Sequence, residues 1–135
     1  MKLHIDIQTG QLNAIIAKLR RKDVTIPLRQ AAVYIEGSTR QNFVLEKDPN
    51  GTPWQPLAAS TLARKSSGKI LTETGRLVNS ISHSVSGNTA RVYTNVEYAP
   101  YLQFGTKYMP ARPFMGIGRQ DQQNIEQIFG NYFKP

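Results

Sequence analysis

One long helical pattern constrains the fold of this chain more than any other feature. Apolar or small side chains recur at helical spacing between Thr25 and about Lys47, namely Leu28, Ala32, Ile35, Thr39 and Phe43. Thr25 is placed to cap this helix, and Pro27 suits its first turn. Gly37 costs about 1 kcal/mol relative to Ala inside a helix, so we expect either close packing or a bend there. Turn residues at 48–51 end the helix, which we predict to be the spine of the fold.

Two further segments predict an antiparallel sheet. Residues 2–8 alternate between polar and apolar side chains, as a half-buried strand does. Residues 80–95 carry the pattern of a hairpin closed by Gly87-Asn88, in which His83 faces Val92. Both faces of the hairpin are then consistent in polarity, which favours this register.

Helical patterns at the two ends complete the expected fold. A stripe within residues 12–19 predicts a helix that ends in the cations of Lys18–Lys22. A C-terminal helix is predicted with the buried stripe Ile125, Ile128, Phe129 and Tyr132. The chain therefore predicts an α+β fold, a small and mainly antiparallel sheet with the long helix and the C-terminal helix packed on it. A length of 135 residues predicts a single domain over residues 1–135.

Composition argues against several classes of function. The chain has no Cys, and its two His, His4 and His83, are too far apart in sequence to show a ligand spacing. We find no catalytic motif, and therefore predict no catalytic residue, no metal site and no cofactor. The amino terminus carries a charge within its only apolar stretch, and no run reaches the roughly 18 apolar residues of a membrane span. We expect a soluble intracellular product with no membrane partner.

Positive charge is in excess but widely spread. Seventeen Lys and Arg residues against nine Asp and Glu residues give a formal net charge of +8. Such an excess favours an acidic partner surface, either nucleic acid or protein. The cluster Arg64–Lys69 also contains Gly and two Ser, so we interpret residues 64–69 as a mobile basic arm. A small basic DNA-binding module remains an alternative from a different functional class.

The most unusual stretch runs from Tyr98 to Phe114. Its seventeen residues hold three Pro, one Gly and five aromatic side chains, with no acidic group. Pro110 and Pro113 extend the backbone around Arg112. A segment fixed this firmly is either a loop that presents a shape to a partner or a stiff connection beneath a helix. The residue types leave both interpretations open.

A short helix is predicted at the start of that stretch. Pro100 suits its first turn, and Gly105 suits the left-handed position that ends a helix. Tyr98, Tyr101 and Leu102 are spaced to share one apolar side. One side of this short helix is therefore apolar.

Trp54 is the only tryptophan and lies between two prolines. The burial of an indole stabilises a fold strongly, so we predict that Trp54 enters the core from a loop. A stacking platform for a carbohydrate or a base is the alternative.

Four short motifs follow one another along the chain. They are Gly51-x-x-Trp54-x-Pro56-Leu57, Ile70-Leu71-x-x-Thr74-Gly75-x-Leu77-x-x-Ser80-Ile81, Tyr98-Ala99-x-x-x-Gln103-Phe104-Gly105 and Pro110-Ala111-Arg112-Pro113-Phe114-x-Gly116. In this order they resemble the phage virion morphogenesis family, the tail-completion proteins of Mu-like and P2-like phages and prophages. Members of that family often carry His before the Gln-Phe-Gly, where this chain has Leu102. This departure argues against a polar role at that position.

The resemblance implies a non-enzymatic structural protein of the virion. It implies action in the tail-neck region, at the head-proximal end of the tail, after assembly in the host-cell cytoplasm. The expected partners are copies of the chain in a ring, with a hexamer as the expected form, the tail tube and the head or neck proteins. Contact with DNA in a channel would be non-specific. A head-side neck or connector protein is the runner-up. The motif residues with an implied structural role are Trp54, Gly75, Leu77, Tyr98, Gln103, Phe104, Gly105 and Pro113.

A ring needs two different, complementary surfaces on each subunit. We expect the basic arm and the loop at 106–114 to supply contacts between subunits, through Arg64, Lys65, Lys69, Lys107, Tyr108, Met109, Arg112 and Phe114. Arg112 could pair bidentately with a neighbour's carboxylate or bond internally to the carboxyl end of a helix. The sequence leaves both open.

Overall fold

Three strands and four helices make up the part of the chain that the structure describes. The computed structural model describes residues 2–8, 23–56 and 75–133. Its elements in chain order are β1 (Leu3–Gln8), α1 (Thr25–Leu45), α2 (Arg76–Ser80), β2 (Ser82–Ser86), β3 (Thr89–Thr94), α3 (Ala99–Phe104) and α4 (Arg119–Tyr132). The strands form one antiparallel sheet in the order β1-β3-β2. The predicted α+β class is confirmed.

The hairpin of β2 and β3 has the predicted register. His83 lies opposite Val92 and Val85 lies opposite Ala90, with Gly87 in the turn at a φ of 57°. β1 pairs with the other edge of β3, so that Ile7 lies opposite Ala90. The apolar side chains of all three strands therefore share one face of the sheet, and α1 packs on that face.

Helix α1 begins differently from the sequence prediction. Thr25 is its first residue and does not cap it; Val24 is the N-cap residue, and the Thr25 amide donates to Asp23 Oδ1 at 3.0 Å. Gly37 is exposed, and a Cβ added there would meet nothing within 4 Å. Of the two alternatives given for Gly37, close packing is therefore wrong. The helix ends where Glu46 takes a left-handed conformation.

The core lies between the sheet, α1 and α4. The predicted stripe of α1 is buried, including Leu28, Ile35 and Phe43, and α4 packs against α1 through Ile125 and Phe129. Two residues of the predicted α4 stripe differ from expectation. Ile128 is only half-buried and Tyr132 is exposed, because the buried side of α4 is a single row of Asp121, Ile125 and Phe129.

Two sequence predictions fall on residues that the structure does not describe. These are the helix predicted within 9–22 and the basic arm at 64–69, with Arg64, Lys65 and Lys69. Among the described residues, no helix is both long and apolar enough to cross a membrane.

Candidate interaction surface

Helix α3 and the glycine after it set the path of the aromatic-rich stretch. Pro100 is the second residue of α3, as predicted, and Gly105 ends the helix. Gly105 has a φ of 78° and a ψ of 172°, which combines a positive φ with an extended ψ rather than the predicted left-handed helical conformation. A Cβ at Gly105 would lie 2.7 Å from the Ala111 amide nitrogen. Glycine is therefore required for the chain to fold back on itself here.

The buried side of α3 differs from the predicted one. Ala99 and Leu102 are buried, and Tyr98 is half-buried. Tyr101, which shares the predicted apolar side with Tyr98 and Leu102, is 59% exposed. The returning chain decides this orientation, because the Arg112 amide donates to the Leu102 carbonyl at 2.7 Å and covers that side of the helix.

Gln103 fastens the returning chain to α3. Its Oε1 accepts hydrogen bonds from the amides of Phe114 and Met115, both at 3.1 Å. Its Nε2 donates to the Met115 carbonyl at 2.7 Å. One side chain thus satisfies three backbone groups of a segment that has no regular secondary structure of its own.

Trp54 supports the segment after α3 from the core side. It is 6% exposed, so the core interpretation is correct and the stacking platform is not. Its indole Nε1 donates to the Pro113 carbonyl at 2.6 Å, and its ring meets that of Phe43 edge-on at 5.7 Å between centroids. Asn42 Nδ2 donates to the Phe114 carbonyl at 2.9 Å.

Arg112 and Phe114 point inward, although both were expected at contacts between subunits. Arg112 is 5% exposed and Phe114 is fully buried. Arg112 Nε donates to the Gln55 carbonyl at 3.0 Å and Nη2 donates to the Pro56 carbonyl at 3.2 Å. Burial lowers the pKa of the Arg112 guanidinium, which nevertheless remains charged at neutral pH. Its acceptors lie in the loop after Trp54 and not at the end of a helix.

Three aromatic side chains stand out from this rigid base. Tyr101, Phe104 and Tyr108 are 59%, 71% and 85% exposed. Tyr108 lies in a tight turn closed by Thr106 and Met109, and Lys107 Nζ lies 5.0 Å from the centroid of the Tyr108 ring. We call Tyr101, Phe104, Lys107 and Tyr108 the aromatic ridge. Met109 is half-buried and packs against the core beneath it.

A comparison with known protein families decides the identity. A model of the phage virion morphogenesis family matches residues 7–134. The chain belongs to this family. The family and its relatives give this chain a structural or assembly role in phage morphogenesis.

Relatives of the chain come from a prophage and a phage. Mu-like prophage FluMu G protein 1 of Haemophilus influenzae is 33% identical over 113 residues, which cover 79% of this chain and 75% of the relative. FluMu G protein 2 of the same organism is 32% identical over 115 residues, covering 79% and 76%. Putative capsid assembly protein G of Escherichia phage Mu is 30% identical over 139 residues, covering 93% and 88%. No solved structure matches this chain closely enough to count as a relative.

The family motifs coincide with the parts of the chain that hold the ridge in place. Trp54, Gln103, Gly105 and Pro113 meet around the segment after α3. Gly75 and Leu77 belong to a separate site, where Gly75 has a φ of 68° immediately before α2 and Leu77 is buried in the core. Phe104 alone among these motif residues has a largely exposed side chain. It therefore belongs to the surface and not to the scaffold.

Sequence reasoning missed a buried polar cluster around Asp121 in this virion morphogenesis protein. Asp121 is buried and accepts hydrogen bonds from Tyr34 Oη at 2.9 Å, Ser38 Oγ at 3.2 Å and the Gly118 amide at 2.9 Å. Burial is the main cause that raises the pKa of the Tyr34 phenol. The cluster joins the start of α4 to the middle of α1. The only signal in the sequence was an acidic residue in the first turn of a helix.

Removal of the Gln103 side chain tests the attachment of the ridge. We expect Gln103→Ala to lower the free energy of unfolding by about 2–3 kcal/mol, because backbone groups of Phe114 and Met115 lose their partners. Urea unfolding followed by circular dichroism measures the change. Gln127→Ala on the exposed side of α4 is the matched control and should stay within about 0.5 kcal/mol of wild type. Equal stabilities for both variants would contradict the role given to Gln103.

Proposed function

We propose that this protein completes the phage tail and joins it to the filled head, as a ring at the head-proximal end of the tail. The family match over residues 7–134 is the observation that carries the proposal. The proposal names copies of the chain, the tail tube and the head or neck proteins as partners. The protein acts by docking and makes or breaks no covalent bond.

The geometry of the aromatic ridge supports a docking role. Exposed aromatic side chains on a rigid backbone provide contact area at a small entropic cost, and Tyr is enriched among residues that dominate binding energies. We propose Lys107, Tyr108 and Met109 at the contact, together with the exposed rings of Tyr101 and Phe104. Arg64, Lys65 and Lys69 stay proposed contact residues, and they lie outside the described part of the chain. Arg112 and Phe114 support this contact from inside the subunit.

Net charge supports a further element of the proposal. A formal charge of +8 per subunit supports the proposal that the ring attracts DNA passing through its channel. Contacts of this kind involve the phosphate backbone and carry no sequence preference. Release of counterions makes them weaken as the salt concentration rises.

A head-side role is the second candidate. Its support is the name of the phage Mu relative, a putative capsid assembly protein. A protein required on the head side would act before or during completion of the head. A tail-completion protein would act after the tail has polymerised.

Deletion of the gene from the phage or prophage separates the two roles. We expect filled heads and separate tails in the lysate, seen by negative-stain electron microscopy, because neither structure needs the joining protein for its own assembly. The wild-type gene supplied from a plasmid is the control and should restore joined particles. Absent or empty heads would instead favour the head-side role. Normal particles in the deletion lysate would refute both.

A further inference from the structure

Helix α1 carries a second apolar surface, far in sequence from the aromatic ridge. Ile26 and Val33 are 53% and 52% exposed, although each is a large aliphatic residue. Together with Arg29 and Gln30 they line a shallow groove on the outer side of α1. We call these four residues the α1 groove. The two exposed aliphatic side chains form a small apolar surface that another protein can cover.

The ridge protrudes and the groove is recessed, and apolar side chains are prominent on both. Three aromatic rings protrude from the ridge, and two aliphatic side chains border the groove. Arg29 lies between Ile26 and Val33, where its guanidinium can stack on an aromatic ring, a contact that forms within about 6 Å of the ring centroid. A protruding aromatic set and an aliphatic groove are the complementary pair that a head-to-tail contact requires.

The edges of the two surfaces carry one pair of opposite charges, while the cation Arg29 lies inside the groove. Lys107 is exposed and, within the described residues, its contact is with the Tyr108 ring and not with a carboxylate. The ridge segment from Tyr98 to Gln120 contains no acidic residue that could pair with it. Asp23 is exposed three residues before Ile26, and the Thr25 amide lowers the pKa of its carboxyl group. Asp23 is therefore an anion at the groove end of the contact.

We propose that the aromatic ridge of one subunit docks in the α1 groove of the next, with Lys107 facing Asp23 across the contact. This inference rests on the proposed function, since it specifies the contact between subunits of the ring. The contact is heterologous: each copy uses its ridge on one side and its groove on the other. Repetition of such a contact closes a ring when the rotation between subunits allows it.

Cysteine cross-linking tests the contact directly, because the chain contains no Cys of its own. The variant Tyr108→Cys with Val33→Cys is expressed from a plasmid in cells that carry the deletion phage. Lysates are treated with a short bismaleimide and analysed by denaturing electrophoresis. We expect a ladder of cross-linked chains that extends beyond the dimer. Both positions are exposed, so the substitutions should leave the fold intact.

Single substitutions define the direction of the contact. Co-expression of Tyr108→Cys and Val33→Cys chains should give a dimer and no higher species, since each chain then has one reactive surface. Tyr108→Cys with Asn88→Cys, an exposed position in the hairpin turn, is the matched control and should give no ladder. A dimer from Tyr108→Cys alone would show that two ridges meet each other and would overturn the inference.

Charge reversal gives a second readout in the same cells. Lys107→Asp and Asp23→Lys should each lower the phage titre by about tenfold or more, since each places like charges across the contact. The double variant should restore most of the titre. Failure of the double variant, together with the absence of a ladder, would refute the ridge–groove contact. The deletion phenotype tests the proposed function separately. Unjoined heads and tails in the deletion, together with no ladder and no rescue by the double variant, would support tail completion and exclude only the ridge–groove contact.

Discussion

We expect Gly118→Ala to destabilise the protein by about 3 kcal/mol or more. Gly118 is buried immediately before α4, and an added Cβ would lie 2.0 Å from the Pro49 carbonyl oxygen and 2.8 Å from its carbon. Both are backbone atoms, so no side-chain rotation relieves the clash. The φ of −75° at Gly118 is available to any residue, so the effect is one of space and not of backbone strain.

Gly37→Ala is the matched control for that prediction. It adds the same methyl group to a glycine in the middle of α1, where nothing lies within 4 Å. The loss of a helical glycine should raise the free energy of unfolding by about 1 kcal/mol. Thermal and urea unfolding of the two variants should therefore change in opposite directions. A loss of less than about 1 kcal/mol in Gly118→Ala would show that the loop after α1 moves away easily, contrary to the tight approach described here.

The parts of the fold that local patterns specify could be predicted. The hairpin register follows from a two-residue turn and a period of two, and both are visible within residues 80–95. The buried stripe of α1 follows from helical periodicity over more than five turns. In both cases neighbours in sequence determine which side chains face the core.

Tyr101 shows where local periodicity fails. The spacing of Tyr98, Tyr101 and Leu102 marked one apolar side of α3, whereas the side that is buried carries Ala99 and Leu102. The choice between these two sides is made by the chain that returns past Gly105 and bonds to the Leu102 carbonyl through Arg112. A tertiary contact of this kind has no local signature. The exposure of Tyr101 therefore became visible only in the folded chain.

Buried polar side chains show the same limit at longer range. The sequence left open whether Arg112 pairs with a neighbouring subunit or bonds to the end of a helix, but its acceptors are loop carbonyl groups 56 and 57 residues away in sequence. Asp121 and its partner Tyr34 are 87 residues apart. Hydrogen bonds to buried charged groups depend on which backbone and side-chain groups converge. Residue types alone do not reveal that convergence.

Trp54 offers the second large expected effect and separates the scaffold from the surface that it supports. We expect Trp54→Ala to lower the free energy of unfolding by about 3–5 kcal/mol, because a cavity replaces the indole beside Phe43. Trp54→Phe keeps most of the buried ring but leaves the Pro113 carbonyl without its donor, so its loss should be about 2 kcal/mol. Denaturant unfolding of the three proteins measures both values.

The comparison with Tyr108→Ala completes this experiment. Tyr108 is 85% exposed, so its removal should change the melting temperature little while it impairs joining of heads and tails. Trp54→Phe should have the opposite profile, with a lower melting temperature and preserved joining of heads and tails. The aromatic ridge keeps its side chains in this variant, and its weakened support should matter only near the reduced melting temperature. If Trp54→Ala kept the wild-type melting temperature, the indole would have to contribute at a contact between subunits. If Tyr108→Ala lowered the melting temperature as much as Trp54→Ala does, the ridge would be part of the core and not a docking surface.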